Sequence, residues 1–397
     1  MGTGIEIKAL GMEHFGEAMA LSQFAFQFQR TEQELEKIKE QLQEEPADRH
    51  AAFVDGRLAA QAMVLDLEIF VGGKRFAMGG VAGVATWPEY RRQGLVAKLL
   101  VHSLQEMKAK GQTISLLAPF AFAFYRKFGW EMHTEYKAYT IKSAHLPPRN
   151  TYEGRMERIY GNYSLLNGMY EQYASRYNGT LVRTEQWWKY RVSSRKPGQT
   201  AVYYGASGEA LGYMIYEVKT NRLTVHELVY LNEEAREALW SYIAQHDSMI
   251  EEVALTAPAD DLLPYLLPNP RIKQETIPYF MARIVDAEAF VRNYAFTEAS
   301  AEDRFVITID DEHAPWNAGR YMLEIGASGN AQLRRLQQDE EAAEAIRTDI
   351  GTLTTMLLGY LRPAQLSQIG RIHGGADAIN RLQIRIPERM TFLPDFF

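Results

Sequence analysis

Two arginines and a glycine stand where a β-prone run gives way to a helix-prone run. The segment 83–100 has the sequence GVATWPEYRRQGLVAKLL, with Arg91, Arg92 and Gly94 ahead of its helical part. The free amides of a helix N-terminus carry partial positive charge and bind phosphate oxygens. Glycine lets a bulky anion approach the backbone, and the arginines add full charges. The pattern predicts a diphosphate site, although taken alone it fits an ordinary helix start with solvated arginines equally well.

The elements around this junction follow from turn residues and hydrophobic spacing. Asp55-Gly56 and Gly72-Gly73 predict two hairpin turns, so three strands precede the junction, the last at about 79–86. The helix after it ends at Gly111, and a strand at 113–117 follows. The apolar residues of the helix recur at helical spacing and predict a buried face: Val96, Leu99, Leu100, Leu104 and Met107.

The same order of elements recurs after the proline-containing segment 145–150. Strands with turns at Ser207-Gly208 and Asn221, then a helix and a strand, predict a second copy of the first fold. Its strand-to-helix junction carries Glu233 and Glu234 and no glycine. Two carboxylates would repel a diphosphate, so we expect only the first junction to bind one.

Composition limits the class of protein. The 397 residues include 43 Lys and Arg against 50 Asp and Glu. This acidic balance argues against nucleic acid or an anionic membrane as partner and fits cationic small molecules better. No apolar run reaches the roughly 18 residues that a membrane helix needs. The sequence has no cysteine, which favours the cytoplasm and excludes thiolate metal sites and a covalent intermediate on a protein thiol. The nine histidines lack ligand-like spacing, so we expect no metal.

The first part of the chain, about residues 1–142, resembles the GNAT acyl-CoA N-acetyltransferases. The resemblance lies in the order of a strand, Pro88, Arg91-x-x-Gly94, a helix, a strand and then Tyr125 in FYRKFGW. The resemblance implies acetyl-CoA as co-substrate, with its pantetheine along the strand before the junction and its pyrophosphate on the loop amides. The family pattern has a small residue at the position of Val96, so we expect the loop to sit slightly differently. The cofactor-binding residues implied are Val84, Ala85, Thr86, Arg91, Arg92, Gln93, Gly94, Leu95, Val96, Ala97, Phe120 and Ala121.

The repeated middle fold, an SCP2-like third segment and the terminal PDFF make the whole chain resemble the enhanced intracellular survival (Eis) family. The implied architecture is α/β (α+β): an active GNAT domain at 1–147, a degenerate GNAT-like domain at 148–280 and an SCP2-like (sterol carrier protein) domain at 281–397. The family acetylates amines of aminoglycosides and sometimes lysines. The resemblance thus implies a primary amine of a cationic small molecule, or a lysine, as acceptor, and a homohexamer as functional form.

Without a cysteine nucleophile, we expect a neutral amine to attack the thioester directly in a ternary complex. The amide of Val84 or its neighbour is the natural donor to the oxyanion. The leaving thiolate needs a proton, and Tyr125 is the general acid by its position in the family motif, since a phenol has a pKa of about 10. The alternative is that Tyr125 only packs among the neighbouring phenylalanines.

The chain ends in LPDFF, and we expect Phe396 and Phe397 to be buried. Burial would carry the α-carboxylate of Phe397 into the protein, where it needs a partner or a function. The resemblance to the Eis family implies that this carboxylate is the general base for the amine. Because a free α-carboxyl has a pKa of about 3.3–3.7, a relay through water, or orientation of a cationic substrate, stays open. An aromatic plug that only anchors the third segment also stays open.

Two other classes of function stay open. The SCP2-like segment alone would make the chain a lipid or sterol carrier, and an intact cofactor site without turnover would make it a CoA-binding regulatory pseudoenzyme. For the enzyme, we expect an acidic acceptor pocket shared by the first and third segments. The acidic run at 310–312 is more typical of a solvated turn than of such a pocket.

Overall fold

The computed structural model describes residues 4–337 and 346–397. In these ranges the chain forms three β-sheets, two of seven strands and one of four. Among the described residues, no helix has both the length and the apolar character that crossing a membrane requires. The strands, in chain order, are β1 (Ile5–Ala9), β2 (Ala47–Val54), β3 (Arg57–Val71), β4 (Lys74–Thr86), β5 (Ile114–Leu117), β6 (Glu131–Met132), β7 (Glu135–Lys142), β8 (Arg155–Ile159), β9 (Gln199–Tyr204), β10 (Ala210–Lys219), β11 (Arg222–Tyr230), β12 (Glu252–Pro258), β13 (Lys273–Pro278), β14 (Met281–Ile284), β15 (Asp303–Asp310), β16 (Gly319–Ile325), β17 (Ala331–Arg335) and β18 (Ile346–Asp349).

Most of the helices lie between strands. A π-helical turn, Trp188–Val192, joins two short helices into one helical segment, 185–195. The helices are α1 (Phe15–Phe26), α2 (Glu32–Glu44), α3 (Leu95–Ala109), α4 (Phe122–Arg126), α5 (Tyr163–Ala174), α6 (Glu185–Trp187), α7 (Ser193–Arg195), α8 (Glu233–Ala244), α9 (Leu263–Leu266), α10 (Ala287–Asn293), α11 (Ile350–Leu358), α12 (Pro363–Gln368) and α13 (Ala376–Arg385).

The first sheet has the order β1-β2-β3-β4-β5-β14-β6 and contains both predicted hairpins. Asp55 and Gly56 have φ of 49° and 79°, the left-handed backbone that a two-residue turn requires. β4 pairs antiparallel with β3 and parallel with β5, and the parallel pair needs α3 as its crossover. The predicted face of α3 is buried except at Val96, which is half-buried.

The second sheet repeats this arrangement, in the order β13-β7-β12-β11-β10-β9-β8. Here β11 and β12 pair in parallel and α8 is the crossover, so the predicted second copy is confirmed. The two sheets also exchange strands. β7 lies between β12 and β13 of the second sheet, and β14 lies between β5 and β6 of the first. Each sheet is therefore completed by a strand from beyond a predicted limit, and the limits at residues 147 and 280 stay a prediction.

The third sheet, β17-β16-β15-β18, packs with α10 to α13 as an α+β unit. The run 310–312 is not wholly a solvated turn, because Asp311 is buried and pairs with Arg283 of β14 at 2.6 and 2.7 Å. Asp311 also accepts a hydrogen bond from the amide of Ala314 at 3.0 Å. Removing either charge would leave the other buried and unpaired, so this pair links the third unit to the first sheet.

Candidate active site

β4 and β5 separate at one defined point. They pair as far as Val81 and Leu117, where β5 ends while β4 continues to Thr86. β4 keeps its pairing with β3 on one side as far as Thr86, and no described strand pairs with it on the other side beyond Val81. The separation leaves a gap with a free strand edge, which can accept an extended ligand through its backbone groups.

A β-bulge shapes this free edge. Opposite β3, β4 has one extra residue between Ala82 and Ala85, and Gly83 takes left-handed backbone with φ of 61°. A bulge takes a residue out of the ladder and reorients its backbone groups. The predicted cofactor residues Val84, Ala85 and Thr86 lie on this stretch. An amide from it can therefore face the gap, as the predicted oxyanion donor requires.

The predicted diphosphate loop leads directly into α3. Gly94 is the N-cap residue, with φ of 75° and nothing within 4 Å of the position that a side chain would take. No side chain of the described residues caps the helix, so its first-turn amides are free to bind an anion. Arg91 and Arg92 are exposed, as is Gln93, whose amide donates to the carbonyl of Glu89 at 3.1 Å. Of the remaining loop residues, Leu95 is buried, and Val96 and Ala97 are half-buried.

The equivalent junction of the second unit is closed. The side chain of Asn232 accepts a hydrogen bond from the amide of Ala235 at 2.9 Å and so caps α8. Glu233 and Glu234 occupy the first turn, and Arg236 pairs with Glu233. One first-turn amide of α8 is already hydrogen-bonded, and the two glutamates make the charge of this junction negative. The junction therefore cannot bind an anion as the first one can.

Tyr125 is buried on α4, beside the gap. Its ring contacts Phe120 and Phe124 with centroids 5.3 and 5.2 Å away, and it belongs to the apolar cluster that contains Val81 and Leu117. No described residue hydrogen-bonds to its hydroxyl. Burial raises the pKa of Tyr125 to about 12, so the phenol is protonated at neutral pH. Phe120 is 71% exposed, and the half-buried Ala121 is the N-cap residue of α4.

The chain end reaches the first sheet. The ring of Phe397 is buried against Gly80 of β4 and stacks edge-on with Phe280, at a centroid distance of 4.9 Å. Gly80 precedes Val81, so the terminal ring packs beside the point where β4 and β5 separate. The expected burial of Phe397 is thus confirmed. The expected burial of Phe396 was wrong, because 38% of that residue is exposed. Its ring packs edge-on against Phe280, at a centroid distance of 5.9 Å.

Asp395 is held by a buried charge network that the sequence did not indicate. Nε of Arg183 donates to both carboxylate oxygens of Asp395 at 3.1 Å, and the indole of Trp187 donates to one of them at 3.0 Å. The other end of Arg183 pairs with Glu227 of β11 at 2.8 and 2.6 Å. A lone arginine and a lone aspartate far apart in sequence give no signal of such a pairing. The only hint was an acidic residue within an apolar terminus.

A cavity of about 630 Å³ adjoins the bulge of β4, where it reaches Gly83. It lies between α1, α2 and the helical segment 185–195. The charged residues of its lining are all arginines: Arg30, Arg49, Arg191 and Arg195. No described lining residue of this cavity is an aspartate or glutamate. A separate cavity of about 410 Å³ lies between the first and third units, and acidic as well as basic residues line it, Asp286 and Glu288 among them. The expected acidic pocket shared by these units therefore stays a prediction.

Comparisons with known proteins agree with this architecture. Residues 6–133 and 179–284 each match the acetyltransferase (GNAT) domain family, and residues 287–394 match the sterol carrier protein domain family. An uncharacterized N-acetyltransferase of Streptomyces avermitilis is 26% identical over 89% of either chain. N-acetyltransferase Eis of Mycobacterium bovis is 24% identical over 82% of this chain and 81% of the relative. A crystal structure from Enterococcus faecalis, described as a probable N-acyltransferase, superposes with a TM-score of 0.93 at 29% identity, covering 100% of both chains.

The fold and these matches define an acyltransferase built on tandem GNAT domains. More narrowly, the chain is an Eis-like GNAT N-acetyltransferase with a C-terminal SCP2-like domain. The predicted fold class and family are thereby confirmed, and so is the expectation of an enzyme. The roles assigned to individual site residues stay predictions.

Proposed function

We propose that the first GNAT domain transfers an acetyl group from acetyl-CoA to a primary amine, by direct attack within a ternary complex. Two contacts carry this proposal: Tyr125 shares an apolar cluster with Val81 and Leu117, the last paired residues of β4 and β5, and the ring of Phe397 packs against the neighbouring Gly80. In this proposal the proton donor and the terminal carboxylate serve the same gap. Acetyl transfer to an amine needs both, because the amine loses a proton and the leaving thiolate gains one.

The residues present fit acetyl-CoA. The uncapped first turn of α3, with open space at Gly94 and exposed Arg91 and Arg92, suits the pyrophosphate. The free edge of β4 from Val84 to Thr86 suits the amide groups of the pantetheine arm. Phe120 and Ala121 stand on the other side of the gap, ahead of α4. Bound in this way, acetyl-CoA supplies the thioester that the amine attacks.

The chain's own groups then move the protons. The carboxylate of Phe397 accepts the proton of the attacking amine, directly or through one water, and a backbone amide at Val84 donates to the oxyanion. The phenol of Tyr125 protonates the departing thiolate. A phenol with a pKa of about 12 is a weak acid, but the thiolate leaves within the same apolar surroundings, where its own basicity is also raised.

The acceptor is a primary amine, and the resemblance implied a cationic, aminoglycoside-like molecule or a lysine. The charged residues that line the cavity beside Gly83 are arginines, and one of them, Arg195, has no carboxylate partner among the described residues. This charge disfavours a polycation there, so we treat that acceptor class as the one to be tested against alternatives. The homohexameric form and the cytoplasmic location also stay predictions. Sedimentation at several protein concentrations tests the oligomeric state.

The lipid-carrier alternative finds little support in the third unit. The cavity among its described core residues, between Phe296 and Leu382, has a volume of about 10 Å³. That volume holds about one water molecule, whereas a sterol or acyl chain needs hundreds of Å³. Turnover distinguishes the enzyme from the regulatory pseudoenzyme, which would bind CoA without acetylating an amine.

The test uses the absence of cysteine from the chain. A thiol reagent then reports released CoA without background from the protein, over a panel of primary amines. Acetyl-CoA binding by calorimetry together with amine-dependent thiol release supports the proposal. Binding without thiol release for any amine favours the pseudoenzyme, and no binding contradicts the proposal.

A further inference from the structure

Arg195 differs from the other arginines of the cavity beside Gly83. Arg30 pairs with Glu34 at 3.0 Å, and Arg191 makes a bidentate pair with Glu45 at 2.7 and 2.8 Å. Arg49 donates to a backbone carbonyl at 2.9 Å. Arg195 has no hydrogen bond or ion pair with any described residue. Its guanidinium therefore keeps its N–H donors available to a ligand.

The position of Arg195 relates it to the reaction centre. Its guanidinium lies 4.5 Å from the ring centroid of Phe396, the residue next to the terminal carboxylate. It also lines a second cavity of about 290 Å³, together with Lys196 and Tyr279. Arg195 thus stands between two cavities beside the chain end. A ligand that reaches the bulge of β4 through the larger cavity would lie close to this cation.

We propose that the acceptor is an amine that also carries an anionic group, a carboxylate or a phosphate, and that Arg195 binds this group. The inference rests on the proposed function and names its substrate class. A guanidinium binds either anion through two parallel hydrogen bonds, which also fixes the orientation of the ligand. A cationic acceptor would instead meet the repulsion of Arg195.

A matched series of amines tests this substrate class. 6-Aminohexanoate, 6-aminohexyl phosphate, 6-aminohexanamide and 1,6-diaminohexane have the same spacer and differ in the charge at the far end. For at least one of the two anionic amines, we expect kcat/KM to be about tenfold or more higher than for the amide. The difference from the diamine should be larger still. The carboxylate and phosphate members tell the two sources of negative charge apart.

Variants of the arginines locate the effect. Arg195→Gln should reduce the preference for the anionic amine to near unity, and Arg195→Lys should retain part of it. Arg30→Gln, in the same cavity but paired with Glu34, should change all four rates in the same proportion. A preference for the diamine, no acetylation of either anionic amine, or a preference that survives Arg195→Gln overturns the inference. Loss of acetyl-CoA binding would instead count against the proposed function.

A second inference comes from the buried network at the chain end. Arg183 and Glu227 belong to the second GNAT domain, and Asp395 is two residues before the terminus. Arg183 is enclosed by the rings of Tyr170 and Trp188, with centroids 3.7 and 4.6 Å from its guanidinium carbon. Buried pairs of this kind tolerate little displacement, because an unpaired charge there is costly.

Glu227 is in turn fixed from its other side. It accepts a hydrogen bond from Tyr213 at 2.5 Å and is paired with Lys196. Burial alone would raise the pKa of Glu227, but Arg183 and Lys196 outweigh it and hold that pKa well below its usual range. The carboxylate therefore stays charged at neutral pH. The network therefore presents Arg183 rigidly to Asp395, and the short connection from Asp395 to Phe397 transmits that position to the terminus.

The geometry points to Arg183 as a positioning residue: it anchors Asp395, so that the degenerate second GNAT domain sets the place of the terminal carboxylate in the first. This gives the second domain a role in catalysis without a cofactor of its own. Arg183 touches no reacting atom. Its effect should appear in kcat and in the attachment of the tail, and not in acetyl-CoA affinity.

Paired variants separate positioning from folding. Asp395→Asn and Glu227→Gln each remove one partner of the same buried arginine, but only Asp395 belongs to the tail. We expect kcat of Asp395→Asn to be at least tenfold lower than kcat of Glu227→Gln, with an unchanged Kd for acetyl-CoA. Asp395→Glu should restore part of the rate.

Carboxypeptidase Y provides a readout that does not depend on activity. It should release Phe397 faster from the folded Asp395→Asn protein than from the wild type or Glu227→Gln. Equal release rates and equal kcat for the two variants, or a variant that loses activity only by unfolding, would overturn the positioning role. Faster release with unchanged kcat would keep the anchor but contradict the catalytic role of the carboxylate.

Discussion

The ring of Phe397 lies against the backbone of Gly80. A side-chain carbon at Gly80 would stand 2.9 Å from Cε2 of that ring and 3.0 Å from Cδ1 of Leu67, closer than carbon atoms pack. A glycine inside a strand commonly marks such a close approach. Because Val81 follows at the last paired position of β4 and β5, the absence of a side chain at Gly80 is what lets the terminal ring pack beside the gap.

Replacing Gly80 with alanine should therefore displace the terminal ring. We expect Gly80→Ala to lower kcat about tenfold or more while the fold is retained, measured by thiol release and by thermal unfolding. Gly79→Ala is the control, since a side chain there meets Met107 of α3 and not the tail. Equal losses in the two variants would mean that strand distortion, and not the chain end, lowers the rate.

Extending the chain tests the carboxylate itself. A short Gly-Ser extension after Phe397 keeps both terminal rings but moves the α-carboxylate away, so kcat should fall by roughly two orders of magnitude or more. Acetyl-CoA affinity by calorimetry and the midpoint of thermal unfolding serve as controls. An extended protein that folds, binds acetyl-CoA and turns over at the native rate would leave the terminus only a packing role.

The sequence could predict the features whose causes are local. The hairpins at Asp55-Gly56 and Gly72-Gly73 follow from residues that tolerate left-handed backbone, and the face of α3 follows from helical spacing. The contrast between the junctions at Gly94 and Glu233 also rests on neighbouring residues. The structure adds to it the capping of α8 by Asn232.

Features that depend on distant pairing escaped prediction. Arg183 and Asp395 are 212 positions apart, and neither carries a local signal of the other. The exchange of β7 and β14 between sheets has the same cause, since a strand's periodicity does not identify its partner. Asp311 was interpreted as solvated because the sequence does not show Arg283 facing it.

Cofactor binding should depend on the first junction alone. Gly94→Ile places a branched side chain on left-handed backbone and in the open space before α3, so acetyl-CoA binding by calorimetry should be lost. Asn232→Ala removes the cap of α8, which costs about 1 kcal/mol of stability, and should leave acetyl-CoA affinity unchanged. Unchanged affinity in Gly94→Ile would place the pyrophosphate elsewhere.

Tyr125→Phe keeps the ring and removes the proton, so kcat should fall by roughly 10²- to 10⁴-fold with an unchanged Kd for acetyl-CoA. A general acid works in its protonated form, and its contribution is lost as the pH rises through its pKa. With the pKa of Tyr125 at about 12, kcat of the wild type should show no descending limb from Tyr125 within the pH range in which the fold is stable.

Tyr294 supplies the control for this prediction, because it is another buried tyrosine with a raised pKa but lies in the third unit, away from the gap. Tyr294→Phe should leave kcat and its pH profile unchanged. A descending limb near neutral pH that disappears in Tyr125→Phe would mean that the phenol titrates far below the value its burial dictates. Near-native turnover of Tyr125→Phe would reduce Tyr125 to a packing residue among Phe120, Phe124 and Trp130, and the thiolate would then leave without a proton from the chain.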